Sequence, residues 1–441
     1  MGMVCGGTMK ISFIKNILLF TFLCIKSSYS TEDLESSIVR GEYLAKLANC
    51  VSCHSTEGGK AFSGGLKMAT PIGNLYSTNI TPHIETGIGN YSLEDFSRSI
   101  RLGIRKDGER LYPAMPYPSY AKISPTDIED LYNYFMFGVE PINEPNKSSE
   151  IPWFLSPRWP LMIWNAFFFN DEFYKDDINY NDEWNRGAYL IQGMGHCGAC
   201  HTPRGIAWNE KGFNQESKYY LAGAFLDHWY ASDLTQSNRS GLGRWSKNDI
   251  VKYLKDGRNK HSTAFGTMDE VIINSTQYAN SSDLNAMATY ILSLQPAYKQ
   301  NSYQYDNTSA ERLNNFKLDK TNGEKIYLKF CADCHLESGK GYPPYIPPLA
   351  GNPTSMDLDP SSLINITLNG SSRISISNKN IESYRMPGYR TILNDSDIAD
   401  VVTYMRKAWG NNASSVSINN VISIKDYTST AQDLMPVLRM K

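Results

Sequence analysis

The 441-residue chain predicts an all-α fold of three tandem small domains, on three observations. A Cys-x-x-Cys-His pentapeptide occurs at Cys50-Val51-Ser52-Cys53-His54, Cys197-Gly198-Ala199-Cys200-His201 and Cys331-Ala332-Asp333-Cys334-His335. Before each copy runs an amphipathic stretch with apolar residues at helical spacing. Well downstream of each copy, a second stretch of one recurring pattern closes the repeat with another helix.

Two thiols three residues apart, followed at once by an imidazole, form the pattern of covalent c-type haem attachment. Each thiol closes a thioether on one haem vinyl group, and the adjoining histidine becomes the proximal iron ligand. Zinc is the main rival, but a zinc site needs a second ligand pair, and here every cysteine pair has its own histidine. A thioredoxin-like redox motif would account for one copy, not three at wide intervals. Three covalently bound haem c groups are therefore expected, on Cys50 and Cys53, Cys197 and Cys200, and Cys331 and Cys334. His54, His201 and His335 are the expected iron ligands.

The length suits about three domains. The expected order is a signal peptide at 1–30, a first domain at 31–140, a proline- and aromatic-rich linker at 141–180 and a second domain at 181–296. A linker at 297–316, a third domain at 317–411 and a C-terminal tail at 412–441 complete it. In the leader, Lys10 and Lys15 precede an apolar run at 17–25, and Ser28-Tyr29-Ser30 supplies a small-x-small cleavage site. Met1, Met3 and Met9 are all open as starts, and the apolar run is about half of the roughly 20 residues a membrane span needs. Cleavage removes Cys5 and Cys24, so all six remaining cysteines lie in the three motifs, as suits an exported protein that commits its thiols to haem. Cleavage also removes three lysines, leaving 40 basic against 45 acidic residues, a net charge of −5 that argues against a nucleic-acid partner.

The opening helices are marked by Gly41-Glu42-Tyr43-Leu44, Gly187-Ala188-Tyr189-Leu190 and Gly323-Glu324-Lys325-Ile326-Tyr327. The closing helices share Asp, then apolar residues at +1 and +4, then Tyr at +7. They read Asp127, Ile128, Leu131, Tyr134; Asp283, Leu284, Met287, Tyr290; and Asp397, Ile398, Val401, Tyr404. Ser124, Ser281 or Ser282, and Asn394 or Ser396 are the expected N-caps. Between motif and closing helix, Gly87-Ile88-Gly89-Asn90-Tyr91-Ser92 matches Gly241-Leu242-Gly243-Arg244-Trp245-Ser246, each leading into an amphipathic stretch that ends at Gly103 or Gly257. The third repeat has an echo, Asp359-Pro360-Ser361-Ser362-Leu363, running to Gly370. Periodicity fails at 140–181 and 296–315, the two linkers. The apolar stretch 153–169 is expected to pack between the first two domains, with membrane or partner-subunit contact the lesser reading.

A six-coordinate haem needs a ligand opposite histidine, and methionine there gives an electron-transfer centre of raised potential. One methionine per repeat lies in a loop-like setting: Met115 in Tyr112-Pro113-Ala114-Met115-Pro116, Met268 in Phe265-Gly266-Thr267-Met268, and Met386 in Tyr384-Arg385-Met386-Pro387-Gly388. They follow the first motif cysteine by 65, 71 and 55 residues and precede the closing tyrosine by 19, 22 and 18. Met68 and Met356 compete with Met115 and Met386, whereas Met136, Met287 and Met405 read as core filler. His83, His228 and His261 read as solvated or hydrogen-bonded loop residues, with His228 or His261 a weaker alternative to Met268, and His196 adjoins Cys197 too closely to bind the same iron. Backbone carbonyls near Pro71, Pro203 and Pro348 are candidates to hold the proximal imidazoles.

The chain resembles the tri-haem cytochrome c subunit of bacterial membrane-bound dehydrogenases: alcohol dehydrogenase of acetic acid bacteria and flavin-dependent gluconate, sorbitol and related dehydrogenases. The resemblance rests on Gly41-Glu42-Tyr43-Leu44-Ala45 with the first motif, Thr70-Pro71-Ile72-Gly73, Ser77-Thr78-Asn79-Ile80-Thr81-Pro82 and Thr86-Gly87-Ile88-Gly89-Asn90-Tyr91. Leu111-Tyr112-Pro113-Ala114-Met115-Pro116-Tyr117, Gly195-His196 with the second motif and Thr202-Pro203-Arg204, and Trp409-Gly410-Asn411 extend it over nearly all of the mature chain. It implies three class-I-like cytochrome c domains with axial pairs His54–Met115, His201–Met268 and His335–Met386. It further implies a separate large subunit, PQQ- or flavin-dependent, a small third subunit in some complexes, and electrons passing to ubiquinone at the periplasmic face of the inner membrane. The third repeat departs most from the pattern, notably at 371–382. No segment resembles a PQQ propeller or flavin domain, as suits a non-catalytic subunit with no catalytic residues of its own. The alternative is a haem enzyme of peroxidase or sulfur-compound oxidase type with one displaceable ligand, for which Met268 is the place to look. A terminal-oxidase domain is disfavoured for want of a second apolar segment long enough to span.

Overall fold

The computed structural model describes residues 31–371 and 384–428. The expected signal peptide at 1–30, nearly all of the stretch 371–382 and the last part of the C-terminal tail, 429–441, lie outside the described residues.

In the first repeat α1 (Thr31–Leu47) leads into the motif, which is followed by β1 (Lys67–Thr70), β2 (Gly73–Tyr76), α2 (Leu93–Leu102) and α3 (Pro125–Asn133). The linker carries α4 (Pro160–Phe168). The second repeat has α5 (Asp182–Tyr189), β3 (Ala224–Leu226), β4 (Trp229–Ala231), α6 (Lys247–Asp256), α7 (Thr267–Asn274) and α8 (Ser281–Ser293). The third has α9 (Asn322–Phe330), α10 (Ser361–Asn369) and α11 (Asp395–Lys407), followed by α12 (Ile418–Tyr427).

Opening and closing helices pack together in every repeat: α1 on α3, α5 on α8 and α9 on α11. The recurring glycine and tyrosine meet at these crossings. A Cβ on Gly41 would lie 2.0 Å from the Asp130 carbonyl oxygen and 2.7 Å from Tyr134 Cβ. The distances are 2.0 and 2.9 Å for Gly187 against Ala286 and Tyr290, and 2.4 and 3.1 Å for Gly323 against Asp400 and Tyr404. Only glycine allows so close an approach of backbone to backbone.

The middle stretches are helices, as expected. Ser92 and Ser246 form capping boxes with Asp95 and Asp249, and Gly103 (φ 61°) and Gly257 (φ 67°) end α2 and α6 in the left-handed conformation. Gly370 follows α10 at φ 77°. Ser124 and Asn394 cap α3 and α11. In the second repeat the cap is Asn280 rather than Ser281 or Ser282, because Ser281 already lies inside α8.

The described chain is helix-rich rather than all-α. β1 pairs antiparallel with β2, Thr70 opposite Gly73, and β3 with β4, Leu226 opposite Trp229. The second turn places Asp227 and His228 at φ 52° and 61°, the pair of positive angles that matches the twist of a tight hairpin. Strands of three or four residues are too short for their alternation to stand out in sequence.

One hydrophobic core runs through the first two repeats and contains Leu44, Phe96, Leu131, Phe135, Trp184, Ile191, Trp245 and Met287. A separate core serves the third, around Ile326, Tyr327, Leu363, Val401 and Trp409. Val421 and Ile424 of α12 belong to it, so within the region expected as a C-terminal tail the chain docks a helix on the third repeat. α4 bridges the first two repeats: Tyr117 Oη donates to Asn165 (2.6 Å) and Trp164 Nε1 donates to the Ala207 carbonyl (2.8 Å). Only Leu161 of α4 is buried, however, so packing between domains accounts for one side of this helix and leaves the other apolar and exposed.

Candidate haem sites

Each motif folds as a single helical turn, Cys50–Cys53, Gly198–His201 and Ala332–His335. In all three, the histidine N–H donates back to the carbonyl of the first cysteine, at 3.1, 3.0 and 2.9 Å for His54, His201 and His335. One turn thus brings two thiols and an imidazole to a common side. All six cysteines are free. Burial pushes the thiols of Cys50, Cys53, Cys197 and Cys331 up to about 12 and that of Cys200 to about 11. Among the described residues no group of three or more His, Cys, Asp or Glu side chains is gathered to hold a metal ion.

The three proximal imidazoles share one environment. His54 Nδ1 lies 2.7 Å from the Thr78 carbonyl, His201 Nδ1 2.7 Å from that of Ser232, and His335 Nδ1 3.0 Å from that of Pro347. The carbonyls expected near Pro71 and Pro203 are therefore corrected to Thr78 and Ser232, while the third lies next to Pro348. The hairpins explain the correction: Thr78 comes two residues after β2 and Ser232 directly after β4, so each hairpin returns the chain beneath its histidine. A glycine at positive φ completes the shell. Gly64, Gly223 and Gly341 donate to the carbonyls of His54, His201 and His335 at 2.8, 2.9 and 3.0 Å. A Cβ on Gly64 would lie 2.4 Å from Thr78 carbonyl carbon, and one on Gly341 2.7 Å from the Pro347 oxygen. Burial also lowers the pKa of all three imidazoles. A neutral ring that donates from Nδ1 presents the lone pair of Nε2, the form an axial ligand requires.

Met115 and Met268 pack, with Cys50 and Cys197, against the shared core, and Met386 packs with Cys331 against the third. Met115 sits in a turn, its N–H donating to Tyr112 (3.2 Å) and its carbonyl accepting from Tyr117 (2.7 Å). Met386 is held against Ser371, which donates to its carbonyl (3.0 Å) and accepts from its N–H through Oγ (3.1 Å). Met268 is not in a loop: it is the second residue of α7, which starts after Gly266 at φ 59°. Of the competitors, Met68 lies in β1 opposite Leu75, and Met356 is buried at the end of a single helical turn. Met287 and Met405 are buried core residues, as is Met194, which sequence reasoning did not single out. His83 bonds Thr86, His228 stacks on Tyr427, and His261 stacks on Trp245 with its buried Nε2 3.4 Å from Asp249.

The residues present fit haem c. Beyond the motif shells, the second repeat holds buried donors without a hydrogen-bond partner at Trp245 Nε1, Arg258 Nη1 and Thr263 Oγ1, of the kind a propionate carboxylate requires.

Residues 38–136 and 321–409 match the cytochrome c family model. The chain is 44% identical over 382 residues to the cytochrome c subunit of the quinone alcohol dehydrogenase of Gluconobacter oxydans, covering 86% of this chain and 80% of that subunit. It is 43% identical to the gluconate 2-dehydrogenase cytochrome c subunit of Pantoea cypripedii (90% of each chain) and 38% identical to the fructose dehydrogenase cytochrome subunit of Gluconobacter japonicus (88% and 82%). The repeated motif shells and these likenesses agree: the chain belongs to the family of cytochrome c subunits of alcohol, gluconate and fructose dehydrogenases.

Proposed function

We propose that this electron-transfer subunit carries three haem c groups, one per repeat, within three cytochrome c domains at 31–140, 181–296 and 317–411. The observation that supports this reading is the shell that recurs around each motif: a one-turn helix, a carbonyl on Nδ1 and a glycine at positive φ. When bound, each haem supplies reversible one-electron exchange at its iron. The cysteine pairs would hold it, with His54, His201 and His335 and the thioethers of Met115, Met268 and Met386 as the side chains that would bind its iron and exclude water. Such centres need no substrate pocket, in keeping with a role fixed by the family, and a haem enzyme with a displaceable ligand is not favoured.

The partner is a large dehydrogenase subunit using PQQ or a flavin, with a small third subunit in some complexes, and the acceptor is ubiquinone. The protein works on the periplasmic side of the inner membrane after export. Among the described residues no helix is long and apolar enough to cross a membrane.

Haem quantitation of the purified holoprotein tests the reading: three haems per chain are expected, and two would refute it. The same preparation tests the weakest ligand. Met268→Ala converts one haem of three from low-spin to high-spin absorbance, and an unchanged spectrum would reject Met268 as a ligand.

A further inference from the structure

We propose that Asp357, in the third repeat, is a positioning residue for the second haem: through Ser232 it fixes the carbonyl that orients His201. The inference rests on the reading of His201 as an iron ligand.

The chain of contacts is continuous. The Ser232 carbonyl accepts from His201 Nδ1 at 2.7 Å, and Ser232 Oγ donates to Asp357 Oδ2 at 2.8 Å. Asp357 is 1% exposed, and behind it the fully buried Arg406 donates from Nη2 to the Asp357 carbonyl at 2.9 Å. Arg406 is itself tied to the Ser414 carbonyl (2.9 Å), so the third repeat holds Asp357 from the far side.

Docking alone does not require this acid. Ser362 Oγ already clasps β4, accepting from the Tyr230 N–H (2.8 Å) and donating to its carbonyl (2.9 Å), and Asn365 donates to the His228 carbonyl (3.0 Å). Burying a carboxyl is costly unless its oxygens are bonded, and Oδ1 of Asp357 has no hydrogen-bond partner. The bond that Asp357 does make goes to the one residue whose carbonyl orients His201. The other two repeats lack the device: among the described residues, no side chain of a different repeat bonds Thr78 or Pro347.

A carbonyl held firmly on Nδ1 makes the opposite nitrogen a stronger donor, which favours ferric iron and lowers the potential. Loosening Ser232 therefore raises the potential of the second haem alone. The test is a spectroelectrochemical titration of the full-length holoprotein, with the second haem identified through its altered spectrum in Met268→Ala. Asp357→Ala and Ser232→Ala are each expected to raise that potential and leave the other two in place. The double variant should move it no further than the larger single change, as for two residues acting through one contact. Asp357→Asn keeps an acceptor for Ser232 Oγ and should restore the wild-type value. Ser362→Ala loosens only the docking clasp and should leave the potential unchanged. No shift, a shift shared by all three haems, or an equal shift in Ser362→Ala would overturn the proposal. Failure of the underlying assignment is recognised separately, because wild-type protein would then lack a second centre altered by His201→Ala.

Discussion

Gly187 shows how little freedom some positions have. A methyl there would lie 2.0 Å from the Ala286 carbonyl oxygen and 2.6 Å from its carbon, both backbone atoms inside α8. Neither helix can yield locally, so Gly187→Ala forces α5 and α8 apart at a cost of about 1–3 kcal/mol, read as a lower denaturation midpoint of the holoprotein. A second residue-scale prediction concerns Glu210, which is buried and only 3.7 Å from Arg204. Burial pushes its carboxyl up to about 7, against the opposing pull of Arg204 and Lys122. The folded protein therefore holds a proton that the unfolded chain releases near an ordinary carboxylate pKa. Its contribution to stability is full in acid and lost as pH rises toward 7. Glu210→Gln stays neutral throughout, so relative to wild type it should gain up to about 3 kcal/mol at about pH 8 and almost nothing at about pH 4. A mutational difference that is flat with pH, in denaturant titrations, would contradict the burial account.

At the scale of elements, the first two repeats exchange a reciprocal contact between opening and closing helices. Tyr43 Oη in α1 donates to Asp283 of α8 at 2.6 Å, and Tyr189 Oη in α5 donates to Asp127 of α3. Arg186 fixes Asp283 from its other side with bonds of 2.8 and 2.9 Å. Each tyrosine stands two residues after a crossing glycine. The third repeat has Lys325 at that position, with an exposed contact to Asp319 instead, and keeps a core of its own. Tyr43→Phe leaves the buried Asp283 short of a donor and Tyr189→Phe the half-buried Asp127, so both should destabilise the paired repeats, by about 1–3 kcal/mol, with Tyr43→Phe the costlier. Unfolding followed by limited proteolysis should show the 31–296 region loosening while the third repeat stays resistant; uniform loosening would argue against the clasp. The glycine, tyrosine and aspartate of this arrangement were all legible in the sequence as repeats. Their meeting across two repeats was not, because a period identifies equivalent positions and says nothing about which copy each one touches. The hairpins escaped for a different reason. Their work is done by backbone carbonyls at Thr78 and Ser232, which any side chain can accompany, so residue identity gives them no mark.

Over the whole molecule, the sequence displayed the three Cys-x-x-Cys-His turns and the helix pairs because each depends on side-chain identity at a fixed spacing. The outward surface depends on which side of an element its neighbours leave open, and α4 is the clearest case. Its inner side is tied to both flanking repeats through Asn165 and Trp164. Its outer side presents Trp159 (64% exposed), Ile163 (52%) and Phe167 (78%), at helical spacings of four. Trp153 and Phe154 in the preceding turn, and Ile206 and Trp208 in the loop that Trp164 grips, are also exposed. Between Glu150 and Asp171 the chain has no acidic residue and a single base, Arg158. A helix lying flat with an aromatic face outward and no acid along it suits the headgroup boundary of a bilayer, where tryptophan concentrates. The purified holoprotein should co-sediment with vesicles of phosphatidylethanolamine and phosphatidylglycerol. A Trp159→Ser, Ile163→Ser, Phe167→Ser variant should lose most of that binding while keeping its haem content and spectrum. If the variant still binds vesicles but no longer co-purifies with its dehydrogenase subunit, the surface faces the partner rather than the lipid.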